Sequence, residues 1–389
     1  MHTPNVTLLA STHPLWREEV LTRLRAGRPE LVVVRHELAT IEVDGCVHRT
    51  VTRTTTEDRP LAVDERCCLS CLLREDTAAV LTALATEPGP LEILIVLPVA
   101  VEPLTAATTL GARKDVVLDA VIAAVDAARL EDDLVQGSPL PASGIPDDPR
   151  GHAEVLVRQL RHADVVLHNH GDDRSDALIE ALAPRALRLA ADTAARGWLG
   201  TGRHQHHALL AELQTAVPRA CTDVDRAGVR TARWLRRRPL HPHRLLEALE
   251  DGSLLGVARI HGYLWVATRP GTVIEMEAGF DGCELAAVDA WLSATPGVDP
   301  ARVPPIRRAV AEDRWHPYYG DRVQELVLVT LDRDPAEALQ ALDACLLTDA
   351  ELAEGEEGWL TWHDPFREWL GEEAAFLSSA SNDPEEDTP

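Results

Sequence analysis

Short apolar runs, many of them β-branched, alternate with segments of helical period through the first half of the chain. Residues 6–10, 31–36, 91–97, 116–125 and 163–167 are compact and apolar, as strands buried on both faces of a parallel sheet must be. Between them, residues 14–24, 73–85, 103–110, 151–161 and 174–182 repeat apolar positions at helical spacing. The repeated βα pattern predicts a doubly wound, mostly parallel α/β sheet over residues 1–195. Residues 136–150, rich in Pro, Gly, Ser and Asp, read as an exposed loop on that domain.

The pattern then changes. Residues 196–228 loosen around Gly197, Gly200 and Gly202 and read as a linker containing His204, His206 and His207. In residues 229–370 we expect a smaller α+β domain. Its predicted elements are a strand at 229–235, a helix at 241–250, a pair of strands at 256–261 and 263–268, a strand at 326–331 and a helix at 335–347. Asp334-Pro335 is a good helix start, with a capping carboxylate followed by proline at the first helical position. Residues 371–389, acidic with Ser, Asn and Pro, read as a disordered tail.

Composition narrows the function classes. At 389 residues and 45% hydrophobic content the chain can bury two cores. Its net charge of −25 repels nucleic acid and anionic lipid, and the longest apolar run, residues 93–101, is too short to span a bilayer. The expectation is no nucleic acid and no membrane partner. Met1 to Asn5 has no basic or apolar leader, so a cytoplasmic location is expected. Seven scattered cysteines point to reduced thiols rather than a disulfide framework. Lys114 is the only lysine.

The cysteines Cys67, Cys68 and Cys71 run into Leu72-Leu73-Arg74-Glu75-Asp76 at the start of a predicted helix. A thiolate is stabilised at a helix N-terminus, so Cys68-x-x-Cys71 can hold a soft or borderline metal ion or do redox work. Two or three sulfurs leave coordination positions open, which suits transient carriage. The competing reading is a set of packing cysteines. His204, His206 and His207 are a second metal candidate, since neutral imidazoles bind Zn²⁺, Co²⁺ or Ni²⁺; the competing reading is a solvated polar loop. His2, His13, His36 and His48 are scattered and receive no role, and His168 and His170 flank Asn169. Trp315 to Arg322 reads as a buried turn with Asp321 and Arg322 paired, and Arg236-Arg237-Arg238 as a solvated strand end.

Taken together, these strings resemble the CobW-type family of metal-linked P-loop GTPases over nearly the whole length. The family's Gly-Cys-x-Cys-Cys-x-Leu-Arg-Glu-Asp motif matches Cys67 to Asp76, with Cys67 in place of glycine and Ser70 in place of a cysteine. Arg237 to Pro242, Leu264 to Pro270, Gly320 to Leu326 and Cys345 to Asp349 match its C-terminal domain. The resemblance implies a P-loop NTPase-like sheet followed by a CobW C-terminal-type domain. It also implies a zinc or cobalt metallochaperone that couples delivery to a metal-requiring client protein with guanine nucleotide. Self-association as a homo-oligomer is left open.

The nucleotide motifs depart from the family. A phosphate loop needs glycines, a lysine and a hydroxyl for Mg²⁺. Here residues 11–20 contain neither glycine nor lysine, and Arg17 is a fixed fork, not a compact charge. The γ-phosphate-sensing Glu-x-x-Gly aligns with Val96-Leu97-Pro98-Val99, and the base-reading Asn-Lys-x-Asp with Asn169-His170-Gly171-Asp172. Asn169 and Asp172 keep the guanine-reading positions, and the alternative is a polar turn with Asp172 or Asp173 capping the next helix. GTP/Mg²⁺ turnover is therefore not expected. Two readings stay open: a metal carrier with a vestigial nucleotide site, and a pseudo-GTPase acting as an interaction or regulatory protein without metal transfer.

Overall fold

The computed structural model describes residues 3–63, 68–87, 91–135, 140, 145, 148–194, 202–218, 221–252, 254, 257–280, 282–295, 297–298 and 301–373. The chain divides into two compact units, Met1–Leu209 and Leu210–Pro389. Most of the predicted 136–150 loop and of the 371–389 tail lies outside the described residues.

The first unit carries strands β1 (Asn5–Ala10), β2 (Val32–Glu37), β3 (Cys46–Thr52), β4 (Thr56–Ala62), β5 (Glu92–Val96), β6 (Val117–Val125), β7 (Val165–His168) and β8 (Leu187–Ala190). Its helices are α1 (Pro14–Ala26), α2 (Ile41–Asp44), α3 (Leu69–Ala85), α4 (Pro103–Gly111), α5 (Leu130–Val135), α6 (His152–Arg161), α7 (Asp173–Leu182) and α8 (Ala191–Ala194), and α9 (His206–Leu213) begins in it and continues past Leu209. The sheet order is β4-β3-β2-β5-β1-β6-β7-β8, parallel except for the antiparallel β2-β3-β4 edge.

Alternation along each strand separates two cores. Leu8, Ile93 and Ile95 face a layer containing Val80, Leu81 and Leu84 of α3 and Leu110 of α4. Leu9, Leu94, Val96 and Ile122 face Trp16, Val20 and Leu24 of α1. Both faces are dry, which is why these strands are apolar runs rather than alternating ones. The order reverses beside β1, so the carboxyl ends of β1, β5, β6 and β7 form the crevice in which such sheets place their sites.

The second unit is an antiparallel sheet, β13-β12-β11-β14-β10-β9. Its strands are β9 (Asp225–Arg226), β10 (Val229–Arg236), β11 (Arg259–Leu264), β12 (Thr272–Gly279), β13 (Gly282–Ala290) and β14 (Gln324–Leu331). Trp234, Leu264, Leu326 and Leu328 pack with Leu245 and Ala248 of α10 (Pro242–Glu250) and with Ala338 and Leu342.

Two expectations are corrected here. The predicted strand pair at 256–261 and 263–268 is one strand, β11, running straight through Gly262, and its partners are β12 and β14. Gly262 has φ +147 because β14 crowds it: a Cβ there would lie 2.0 Å from the Glu325 carbonyl oxygen. Glycine marks a close backbone approach, not a turn. Asp321 and Arg322 are not paired with each other. Asp321 accepts from the N–H groups of Leu292 and Ser293, both at 2.9 Å, while Arg322 pairs with Glu356 at 2.8 Å and lies over the Trp265 ring. The N–H groups that follow β13 hold that carboxylate, and Glu356 takes the neighbouring guanidinium. The Arg236 and Arg238 side chains pair with Asp343 and Asp349.

Candidate functional site

Helix α3 begins four residues earlier than its apolar periodicity suggested, because Cys68 serves as its N-cap. The Cys71 N–H donates to Cys68 Sγ at 3.3 Å, and the Arg74 guanidinium reaches Cys71 Sγ at 3.6 Å. Cys68 is exposed and Cys71 half-buried, while Cys67 lies outside the described residues. Hydrogen bonding to the Cys71 thiol, then to the Cys71 N–H, with the charge of Arg74 behind them, holds the Cys68 thiol below its ordinary value. The helix is fixed to the sheet through Asp76, which meets His36 of β2 at 2.8 Å and Arg49 of β3 at 3.6 Å. Leu69, Ser70 and Leu73 border a cavity of about 240 Å³ shared with Leu97 and Leu110.

This asymmetry predicts selective alkylation. Burial pushes the Cys345 thiol up to about 11, while the Cys68 thiol lies below its ordinary value, so below pH 8 Cys345 holds far less thiolate than Cys68. Iodoacetamide at pH 7.5 is expected to label Cys68 at least about a hundredfold faster than Cys345, judged by peptide mass spectrometry. Comparable rates would show that the helix start does not activate Cys68.

The crevice at the carboxyl edge is built differently. Only Ser11, Thr12 and His13 join β1 to α1, and none is glycine. Ser11 Oγ donates to the Ala124 carbonyl at 2.7 Å, and the His13 N–H donates back to Ser11 Oγ at 3.2 Å. The Arg17 side chain is buried: it donates to the Leu97 carbonyl at 2.9 Å and pairs with Glu37 at 3.3 Å. Its charge is thus used inside the protein. At residues 96–99 the Leu97 carbonyl accepts from Arg17 and the Val99 carbonyl from Gln159 at 3.0 Å.

Asn169 ties the ends of β6 and β7 together, donating to Asp126 at 2.6 Å and accepting from the Ala127 N–H at 2.7 Å. Asp172 is the N-cap of α7 and accepts from the Ser175 N–H at 2.8 Å. That N–H, followed by the Ser175 hydroxyl, holds the Asp172 carboxyl below its ordinary value.

The three linker histidines diverge. The His204 side chain is buried, its Nδ1 2.9 Å from Asp164, and the backbone N–H donates to the Asp119 carbonyl at 2.7 Å. The His206 ring packs on Gly111, where a Cβ would come within 2.1 Å of Nδ1. Ring centroids stand 6.2 Å apart in both the 204–206 and 206–207 pairs. Among the described residues one group of three donors does converge, and the sequence reading assigned it no role. It consists of His13, Asp133 and His152, with a ligand atom from each within 4.8 Å of the others. No spacing signal could have found it, because the topology brings His13 and Asp133 together across 120 residues.

A doubly wound, mostly parallel sheet with two cysteines at the start of α3 and an antiparallel companion domain defines the class. Residues 18–195 match the family described as CobW/HypB/UreG, nucleotide-binding domain, and residues 229–346 match the cobalamin synthesis protein cobW C-terminal domain. A Mycobacterium tuberculosis protein named as a zinc chaperone is 30% identical over 95% of this chain and 94% of its own. A Dictyostelium discoideum protein named zinc-regulated GTPase metalloprotein activator 1 is 27% identical over 87% of this chain and 78% of its own. The crystal structure of the Zn(II)-bound YjiA GTPase from E. coli covers 89% of this chain and 100% of its own at 14% identity and a TM-score of 0.35. The chain belongs to the CobW family.

Proposed function

We propose that this protein is a zinc metallochaperone whose cargo ligands are Cys68 and Cys71, assisted by Cys67, and whose guanine-nucleotide site is vestigial. The observation that carries the reading is the Cys68–Cys71 pair at the N-terminus of α3, with the Cys71 N–H on Cys68 Sγ and the Cys68 thiol held below its ordinary value. Zn²⁺ suits thiolate ligands, and two protein sulfurs leave positions for a client's donors, so the ion passes by ligand exchange to a metal-requiring protein. The names carried by its relatives in Mycobacterium tuberculosis and Dictyostelium discoideum point the same way. Co²⁺ fits the same donors. Among the described residues no helix is long and apolar enough to cross a membrane.

The vestigial nucleotide site rests on three features. A three-residue connection has no amide cradle, the nearby cation Arg17 is committed to Leu97 and Glu37, and Asp172 is used as a cap. GTP and Mg²⁺ do not fit this segment, and no step is routed through them. Purified protein with Mg²⁺ and GTP is expected to release phosphate no faster than buffer, with or without Zn²⁺; a metal-stimulated rate would overturn the vestigial reading.

Carriage itself is tested by competing the reduced protein against a chromogenic chelator for Zn²⁺. One equivalent held more tightly than micromolar, and lost on replacing Cys68 and Cys71, is the expected result. Equal, weak binding by parent and variant would leave a pseudo-GTPase that works through protein contacts alone.

A further inference from the structure

His13, Asp133 and His152 belong to three different elements of the crevice. His13 caps α1, Asp133 lies on α5, and His152 is the first residue of α6. His13 Nε2 is 2.5 Å from Asp133 Oδ2, His152 Nδ1 is 3.7 Å from Asp133 Oδ1, and the two rings meet edge-on with centroids 5.0 Å apart. The side chains of Asp133 and His152 are 5% and 3% exposed, and that of His13 is 15% exposed. Such a dry cluster is costly for polar groups unless each is satisfied. One is not: His152 Nε2 is buried and has no hydrogen-bond partner. The Thr12 hydroxyl, next to His13 in the chain, is buried and unpartnered as well.

We propose that these three residues form a second divalent-metal site, separate from the cysteines, that binds Zn²⁺ or Co²⁺ through two imidazole nitrogens and one carboxylate oxygen. Two histidines and a carboxylate are a donor set for borderline first-row ions, with water filling the remaining position. Bonds of about 2.0–2.2 Å in a tetrahedron place neighbouring donors roughly 3.3 Å apart. His152 Nδ1 stands 3.7 Å from Asp133 Oδ1 and His13 Nε2 2.5 Å from Oδ2, so admitting an ion to one carboxylate oxygen takes a rotation of that carboxylate and an opening of the His13 contact by roughly 1 Å. Helix N-termini at α1 and α6 make the local field positive, and the Asp133 carboxylate offsets it. Arg129, 3.9 Å from Asp133, is 61% exposed and free to turn into solvent when an ion arrives. The site stands at the β1–α1 junction, which in a P-loop protein holds phosphate and Mg²⁺; here imidazoles and a carboxylate exchange anion recognition for cation recognition.

The test is a Co²⁺ titration of the full chain carrying Cys67→Ala, Cys68→Ala and Cys71→Ala, followed by visible absorption. One equivalent with ligand-field bands of nitrogen and oxygen ligation, and no sulfur-to-cobalt charge-transfer band, is expected. Adding His152→Ala should weaken that binding at least about tenfold. His13→Gln, at the most exposed of the three positions, gives the same result where His152→Ala fails to fold, and circular dichroism checks the fold of both. If the cysteine variant is folded and binds no Co²⁺, the three side chains are a hydrogen-bonded network and the proposal falls. It falls equally if Co²⁺ binding survives His13→Gln, because the ion then sits elsewhere, for instance near His204 to His207. Neither outcome bears on the cysteine site, which is read in the parent by its charge-transfer band.

Discussion

Gly262→Ala is expected to unfold the second unit under conditions in which the parent is folded, at a cost of about 3 kcal/mol or more. Two penalties act together. At φ +147 an L-residue sits in a sparsely populated backbone region, and its Cβ would lie 2.0 Å from the Glu325 carbonyl oxygen and 3.0 Å from Leu326 Cα. These are backbone atoms of β14, the central partner of β11, so relief requires separating two strands that pair from Arg259 to Tyr263. Gly282 supplies the control. Its φ is +142, yet a Cβ there meets nothing within 4 Å, so Gly282→Ala isolates the dihedral cost at about 1 kcal/mol. Urea unfolding followed by tryptophan emission reports on this unit, because Trp234, Trp265 and Trp359 are buried in it. Equal midpoints for the two variants would show that β11 and β14 separate without penalty.

The same glycine shows where sequence reading stops. In residues 256–268 a glycine between two apolar runs looks like a hairpin turn, and only the approach of β14 explains why the chain continues straight. The parallel half of the fold was legible because its strands must be apolar on both faces: Val32 to Val34 and Ile93 to Val96 leave little else to be. The edge strands β3 and β4 lack that signature. Residues 56–62, Thr-Glu-Asp-Arg-Pro-Leu-Ala, are almost wholly exposed and include a proline tolerated at a sheet edge. Cys68 and Cys71 were legible as a pair because they stand three residues apart at the start of a helical pattern, and the cap that Cys68 forms is the geometry observed. The Asp172 cap was one of two alternatives the sequence left open, and it is the geometry observed. His13, Asp133 and His152 were not legible, since each is unremarkable in its own segment and they meet only through the order β1-β6-β7 and the helices that follow.

The second large effect is on metal. Cys68→Ala is expected to lower Zn²⁺ affinity by about tenfold or more, and Cys68→Ala/Cys71→Ala to abolish the tight equivalent, because removing a ligand takes its bond energy directly from binding. The two single variants should differ in their effect on the apo protein. Cys68 is the N-cap of α3, so alanine there also removes an acceptor for the Cys71 N–H and lowers the apo melting temperature. Cys71 contributes no cap, and Cys71→Ala leaves the helix start intact. Cys68→Ser separates the roles: a hydroxyl is a good cap and a poor zinc ligand, so it should restore the apo melting temperature without restoring affinity. Thermal melts with and without Zn²⁺ read both effects. The parent gains stability with Zn²⁺ in proportion to RT ln(1 + [Zn]/Kd), and that increment should vanish in Cys68→Ser although its apo melt matches the parent. A variant that loses apo stability while keeping the Zn²⁺ increment would instead mark these cysteines as packing residues, and metal carriage would have to be sought at another site.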